Sequence, residues 1–329
     1  MVTNPLYLLS FIFSTILAFF TTALLVHCFI YFFKIRNYRA RYILRILPFA
    51  TPLLDFLALE YNISNWLNPL SCSSCLQKAF LGLFYPELQA YLNLNEISLI
   101  DYFHYDSYII GLGLTVLIGS ISTYFICQTL IQLIFANRYL TLIIGSSISC
   151  IRPIMNTNLK SMIEFKSTRI LLSKEIHIPM ATPYNAIVMP FEISQFSQEE
   201  FEAIIAHECE HVTWRDPQIK IAINAFRSLF WWIPVKNWIN KMEEDQEMAS
   251  DQGILKHDFS EEFLASALVK VAIHVKNEKL ISVCHLSGEN SILRRVKALM
   301  NRYPKENFSF FGVLVLILAL ALLLVCAFT

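Results

Sequence analysis

The sequence predicts an α-helical membrane protein with about four transmembrane helices and one α+β domain set before the last of them. Three observations carry that prediction. Of 329 residues, 55% are hydrophobic and only 16% are charged, which is a membrane-protein profile. Apolar runs long enough to cross a bilayer occur near the N-terminus, in the middle and at the end of the chain. The stretch before the last run instead reads as short strands followed by amphipathic helices. Lysine plus arginine and aspartate plus glutamate balance at 26 each, so no net charge recruits nucleic acid directly.

The first span is residues 6–33, where His27 is the sole titratable acid or base apart from Tyr and Cys. It lacks a basic start and a small-residue cleavage site, so it reads as an anchor rather than a signal peptide. Lys34, Arg36, Arg39, Arg41 and Arg45 follow. The second span, 42–60, is interrupted by Arg45, Pro48, Pro52 and Asp55; Asp55 is expected at a wet, kinked turn. Residues 61–107 form an external loop, in which 71–92 dips toward the membrane. A Cys72–Cys75 disulfide and two free thiols are both open there. The third span, 108–136, contains Gly111, Gly113 and Gly119, which allow close helix packing. The fourth lies in the C-terminal segment 307–329.

Orientation follows from basic residues. The 61–107 segment holds one, Lys78, whereas 137–306 holds twenty. The membrane region 1–136 therefore delivers the 137–306 domain to the cytoplasm, provided that 42–60 spans. If it only lay in the interface, the domain would be outside.

Within the domain, 168–173 and 185–190 have strand character, and the proline-flanked second run suits an edge strand. An edge strand at Asn185, Ala186 and Ile187 could pair with an extended substrate backbone. Ser197 and Glu200 form a capping box before a helix that should run through His211. Asp216 can cap the next helix, with Pro217 in its first turn. A third helix starts near Val235.

The capped helix carries "AHECEH", residues 206–211. Residues four apart share a helix face, so His207 and His211 can bind one tetrahedral zinc ion. Glu208, one position round, can act as general base toward an attacking water. A third ligand is needed, and Glu247 is the candidate; Glu243, Glu244 and Asp245 read as solvated helix charge. Asp251, one turn on, can accept the second N–H of a ligand histidine. His257, His274 and His285 are candidates to stabilise an oxyanion, His285 foremost. Cys209 reads as packing. The predicted domain is thus a zincin-like metalloprotease with one Zn2+ per chain. The competing class is a signalling scaffold with no catalytic duty.

The segments "EEFEAIIAHECEHVTWRDPQ", "LFWWIPVKNW", "QEMASD" and "ILRRVKALM" together resemble the BlaR/MecR family of membrane zinc peptidases over roughly 165–305. The resemblance implies ligands His207, His211 and Glu247, general base Glu208, and supporting aspartates Asp251 and Asp216. It implies a bacterial cytoplasmic membrane and a protein substrate such as a repressor or membrane protein. Ser250 stands where the family often has cysteine. The penicillin-binding sensor of the family's beta-lactam receptors has no counterpart after residue 329, so covalent beta-lactam sensing is not expected. The HtpX/CAAX-type membrane proteases share HExxH and E-x-x-x-D; Asp216 and "WWIP" favour the first family.

Overall fold

A computed structural model describes residues 5–60, 100–150, 154–192, 195–255, 259–277 and 287–301. Helix α1 (Pro5–Phe32) packs along α2 (Tyr38–Glu60), and α3 (Ile100–Ser146) is a single helix of 47 residues, about 70 Å long. Among the described residues, two stretches are long and apolar enough to cross a membrane: Phe11–Phe32 and Val116–Ser146. Helix α2 is not one of them.

The expected segment bounds shift accordingly. Residues 100–107, assigned to the external loop, are helical, and α3 runs unbroken past residue 136 into the domain. Among the described residues nothing packs closely on Gly113 or Gly119: a Cβ on either would meet nothing within 4 Å, and α3 is mostly exposed along this stretch. Residues 308–328 and the Cys72–Cys75 pair lie outside the described residues.

A four-stranded sheet follows, with spatial order β1-β2-β4-β3. Its strands are β1 (Ile148–Ser149), β2 (Arg169–Ser173), β3 (Met180–Ala181) and β4 (Ala186–Pro190). Helix α4 (Thr157–Phe165) lies between β1 and β2 in sequence. Strand β4 pairs parallel with β2 and antiparallel with β3, and all five of its residues are buried. The expected edge strand at 185–190 is therefore an interior strand. A continuous apolar run fits a strand covered on both faces, and the short β3 takes the edge.

Helix α5 (Gln198–Thr213) packs against β3 and β4; α6 (Asp216–Leu229), α7 (Lys236–Ile254) and α8 (Glu261–Asn277) pack on α5, and α9 (Ser287–Met300) packs on α7 and α8. Both halves of the capping box at α5 are formed: Ser197 Oγ accepts from Glu200 N, and Glu200 accepts from Ser197 N at 2.8 Å. Residues 200–212 of α5 are all buried. Phe201, Ile205 and Cys209 on α5 join Ile187 and Met189 of β4 in one core.

Three tryptophans tie the domain to the N-terminal helices. Trp231 Nε1 donates to Ser122 Oγ of α3 at 3.0 Å, Trp232 Nε1 to Thr15 Oγ1 of α1 at 3.0 Å, and Trp238 Nε1 to the Arg45 carbonyl of α2 at 2.8 Å. Each indole satisfies its only donor while its ring packs in apolar surroundings. Phe226 and Phe230 of the same segment pack against Phe19 and Phe49.

Candidate metal centre

Helix α5 presents His207 and His211 one turn apart, with their Nε2 atoms 3.2 Å apart. Helix α7 brings Glu247 to the same point: its two oxygens lie 3.5 Å from His207 Nε2 and 3.8 Å from His211 Nε2. One ligand atom from each residue falls within 4.8 Å of the other two. Zinc–nitrogen bonds of about 2.0–2.1 Å at a tetrahedral angle require nitrogens about 3.3 Å apart. The donor set and its spacing therefore fit a zinc ion.

Both imidazoles are oriented from behind. Asp251 Oδ1 lies 3.0 Å from His207 Nδ1, and Asp216 Oδ2 lies 2.8 Å from His211 Nδ1. A carboxylate at Nδ1 holds the proton there and leaves the Nε2 lone pair facing the ligand point. Ser250 Oγ lies 3.3 Å from His211 Nδ1. Asp216 does not cap α6; the cap position belongs to Arg215, at φ 57° and ψ 34°. A left-handed arginine costs about 1–2 kcal/mol. It closes α5 and swings the chain so that Asp216 faces back toward His211.

Arginines complete each support. Arg295 of α9 donates to Asp251 through Nε at 2.8 Å and Nη2 at 2.7 Å, and its Nη1 lies 2.9 Å from Glu247 Oε2. On the other side, Arg39 Nη1 lies 3.6 Å from Asp216 Oδ2 and Nη2 lies 3.6 Å from Glu210 Oε2. Its guanidinium stacks 4.5 Å over the Trp214 ring. Asp245 is not a solvated charge: it is buried, with Arg45 Nε at 2.6 Å and Arg41 Nη1 at 3.7 Å. Glu244 instead meets Arg294 near the surface. Gly253 lets α7 approach α5, since a Cβ there would sit 2.4 Å from Glu210 Cδ.

These charges set the titration of the ligand groups. Burial opposes protonation of His207, but the Asp251 and Glu247 carboxylates outweigh it and raise its pKa to about 9. Burial would raise Asp251, but Arg295 and then His207 bring it down to about 2. Glu247 is held well below the usual carboxylate range against burial, chiefly by Arg295.

Glu208 and all three ligand residues line a cavity of about 950 Å³. The Asn185–Ile187 segment does not reach out to a substrate. Asn185 occupies the left-handed turn before β4, at φ 51°, and its carbonyl accepts from Arg169 N. The Ala186 carbonyl accepts from Thr182 N and Thr182 Oγ1, both at 2.8 Å, and Ala186 and Ile187 are fully buried. Because Thr182 N points to β4, the two-residue alternation turns the Ala181 amide and carbonyl to the open edge, and Ala181 lines the cavity. His257 and His285 lie outside the described residues, as does the His274 side chain within α8. Sequence reading assigned no role to Arg295, Arg39 or Arg45. Arg295 stood within the quoted "ILRRVKALM", and the other two had been read only as orientation signals.

Two imidazoles and a carboxylate converging beside Glu208, on a helix packed under a small sheet, have the make-up of a metallopeptidase site. The chain belongs to the BlaR1 peptidase M56 family, whose sequence pattern matches residues 115–299. The match begins within α3 and ends within α9. A comparison with curated proteins finds no match. The family and the two apolar helices fit a membrane protein.

Proposed function

We propose that this chain is a membrane-bound, zinc-dependent endopeptidase with its active site at the cytoplasmic face of a bacterial inner membrane. The observation that carries this reading is the 3.2 Å approach of two Nε2 atoms whose Nδ1 atoms each face an aspartate. His207, His211 and Glu247 would hold one zinc ion, which supplies Lewis acidity toward a peptide carbonyl and the attacking water. Glu208 takes a proton from that water and passes it to the leaving amine nitrogen. Asp251 and Asp216 keep both imidazoles in the ligating tautomer, and Arg295 keeps Asp251 and Glu247 ionised. The Ala181 amide and carbonyl align an extended substrate backbone along β3. The cytoplasmic assignment is supported by the twenty basic residues between 137 and 306; it takes α2 as a second crossing, although α2 falls short of the apolar length of α1 and α3. The substrate is a protein, cleaved within its chain.

The test compares wild type with Glu208→Gln, both as full chains reconstituted in liposomes. General-base removal lowers proteolysis about 10²–10⁴-fold with zinc content unchanged, whereas His207→Ala loses the zinc. Full activity in Glu208→Gln would sink the assigned role.

A further inference from the structure

The cavity in front of the metal centre indicates which proteins are cut. One wall is a face of α3: Leu133, Ala136, Asn137 and Leu140, spaced at one side of the helix. Pro217, Lys220 and Ile221 of α6 and Met180 and Ala181 of β3 line the cavity as well. The two helices run antiparallel. Asn137 near the metal end accepts from the Tyr184 hydroxyl, Thr129 is hydrogen-bonded to Ser228, and Ser122 accepts from Trp231.

The pairing also places the cavity beside a membrane helix. The stretch of α3 that is long and apolar enough to cross a membrane includes Val116–Ser146, and the wall residues Leu133, Ala136, Asn137 and Leu140 fall within it. One side of the cavity is therefore a helix face fit to lie in hydrocarbon. Ile178, Tyr184, Ile221, Ile273 and Leu293 line the cavity yet stay exposed, at 39% to 54%. An uncovered apolar patch this close to a reactive centre marks a binding surface. Lys220 is the one charged side chain on the wall away from the metal corner among the described residues.

We infer that the preferred substrate is the membrane-proximal apolar end of a membrane-anchored protein, drawn in sideways between α3 and α6, rather than a loop of a soluble protein. This rests on the peptidase reading for the cut itself but not for the binding. A charged substrate side chain in this wall would be desolvated without a partner, which is costly. A bilayer anchor, by contrast, holds the apolar segment at high local concentration.

The test uses the full-length Glu208→Gln chain in phosphatidylglycerol/phosphatidylethanolamine liposomes. Two peptides share one apolar core containing a photoreactive leucine; one continues into a transmembrane helix and the other ends in a soluble tag. Photocross-linking to the anchored peptide should exceed that to the soluble one at least about tenfold. The cross-links should map to α3 residues 133–140 or to Ile178. Ile178→Glu should lower the yield severalfold, and Ile178→Val should restore it. Equal cross-linking of both peptides would overturn the inference. So would no cross-linking of either, as expected if another segment of this chain fills the cavity. If anchored peptide cross-links as expected but wild type never cuts it, the peptidase reading fails and the binding inference stands.

Discussion

The two histidines of the candidate metal centre are held by the same kind of device built from different parts of the chain. His207 leans on Asp251 and Arg295, both from late helices of the domain, with two hydrogen bonds of 2.7 and 2.8 Å between arginine and aspartate. His211 leans on Asp216 and on Arg39, where the N-terminal hairpin of α1 and α2 meets the domain, and that arginine stands off at 3.6 Å. One support is a bidentate clamp internal to the domain. The other is a looser contact that reports the position of the hairpin. A rigid side and an adjustable side thus meet at one candidate metal centre.

The sharpest way to break this comparison is to remove the clamp. Arg295→Leu takes the guanidinium away from buried Asp251 and partly exposed Glu247, and losing one partner of a buried pair costs about 3–5 kcal/mol. Thermal unfolding of the metal-free protein should drop accordingly. Arg295→Lys should not rescue it, because a lysine cannot make the paired contacts. A fully stable Arg295→Leu protein would remove the claim of a rigid side.

Aspartate removal gives the next effect. Asp251→Asn and Asp216→Asn should each weaken zinc binding about 10–100-fold, with Asp251→Asn the larger loss in chelator competition. Equal losses would erase the asymmetry between the two supports.

The pH response is smaller and has a definite sign. Protonated His207 stabilises the metal-free fold, because its folded pKa of about 9 exceeds the ordinary value near 6.5. That contribution is complete below about pH 6.5 and is lost as pH rises through about 9. Melting curves in chelator should fall across this window. Zinc-loaded protein should not show this fall, since a ligating imidazole is unprotonated.

Arg39→Ala should have the least effect on zinc affinity, about fivefold, or about 1 kcal/mol, because Arg39 stands 3.6 Å from Asp216 without paired hydrogen bonds. Here lysine should restore part of the loss, since it keeps the charge near Asp216 but not the stack on Trp214, in contrast to its failure at Arg295. If Arg39→Lys and Arg295→Lys behaved alike, the two supports would not differ as described.

Much of the site was legible because its signals are local. The capping box needs only Ser197 and Glu200, and the histidine pair needs only helical spacing. Glu247 and Asp251 stood out as carboxylates one turn apart. Asp216 was placed near the site, but its cap role was an error, since the turn depends on a left-handed Arg215 that no propensity favours. The substrate strand was misplaced for a related reason. Proline flanks suggested an edge at 185–190, yet the hairpin at Thr182–Ala186 lays β3 outside it. Asp245 looked solvated because its partners, Arg41 and Arg45, lie some 200 residues earlier in the chain.

By itself, the sequence determined the apolar stretches, the capped helix and the residues able to ligate a metal, because hydrophobic length and helical period act over a few turns. Tertiary structure alone decided which carboxylate meets which imidazole, which arginine backs it, which strand keeps a free edge, and which face of α3 walls the cavity. Those outcomes depend on burying charges in pairs, and a buried charge takes whichever partner the packing of distant elements brings within about 4 Å.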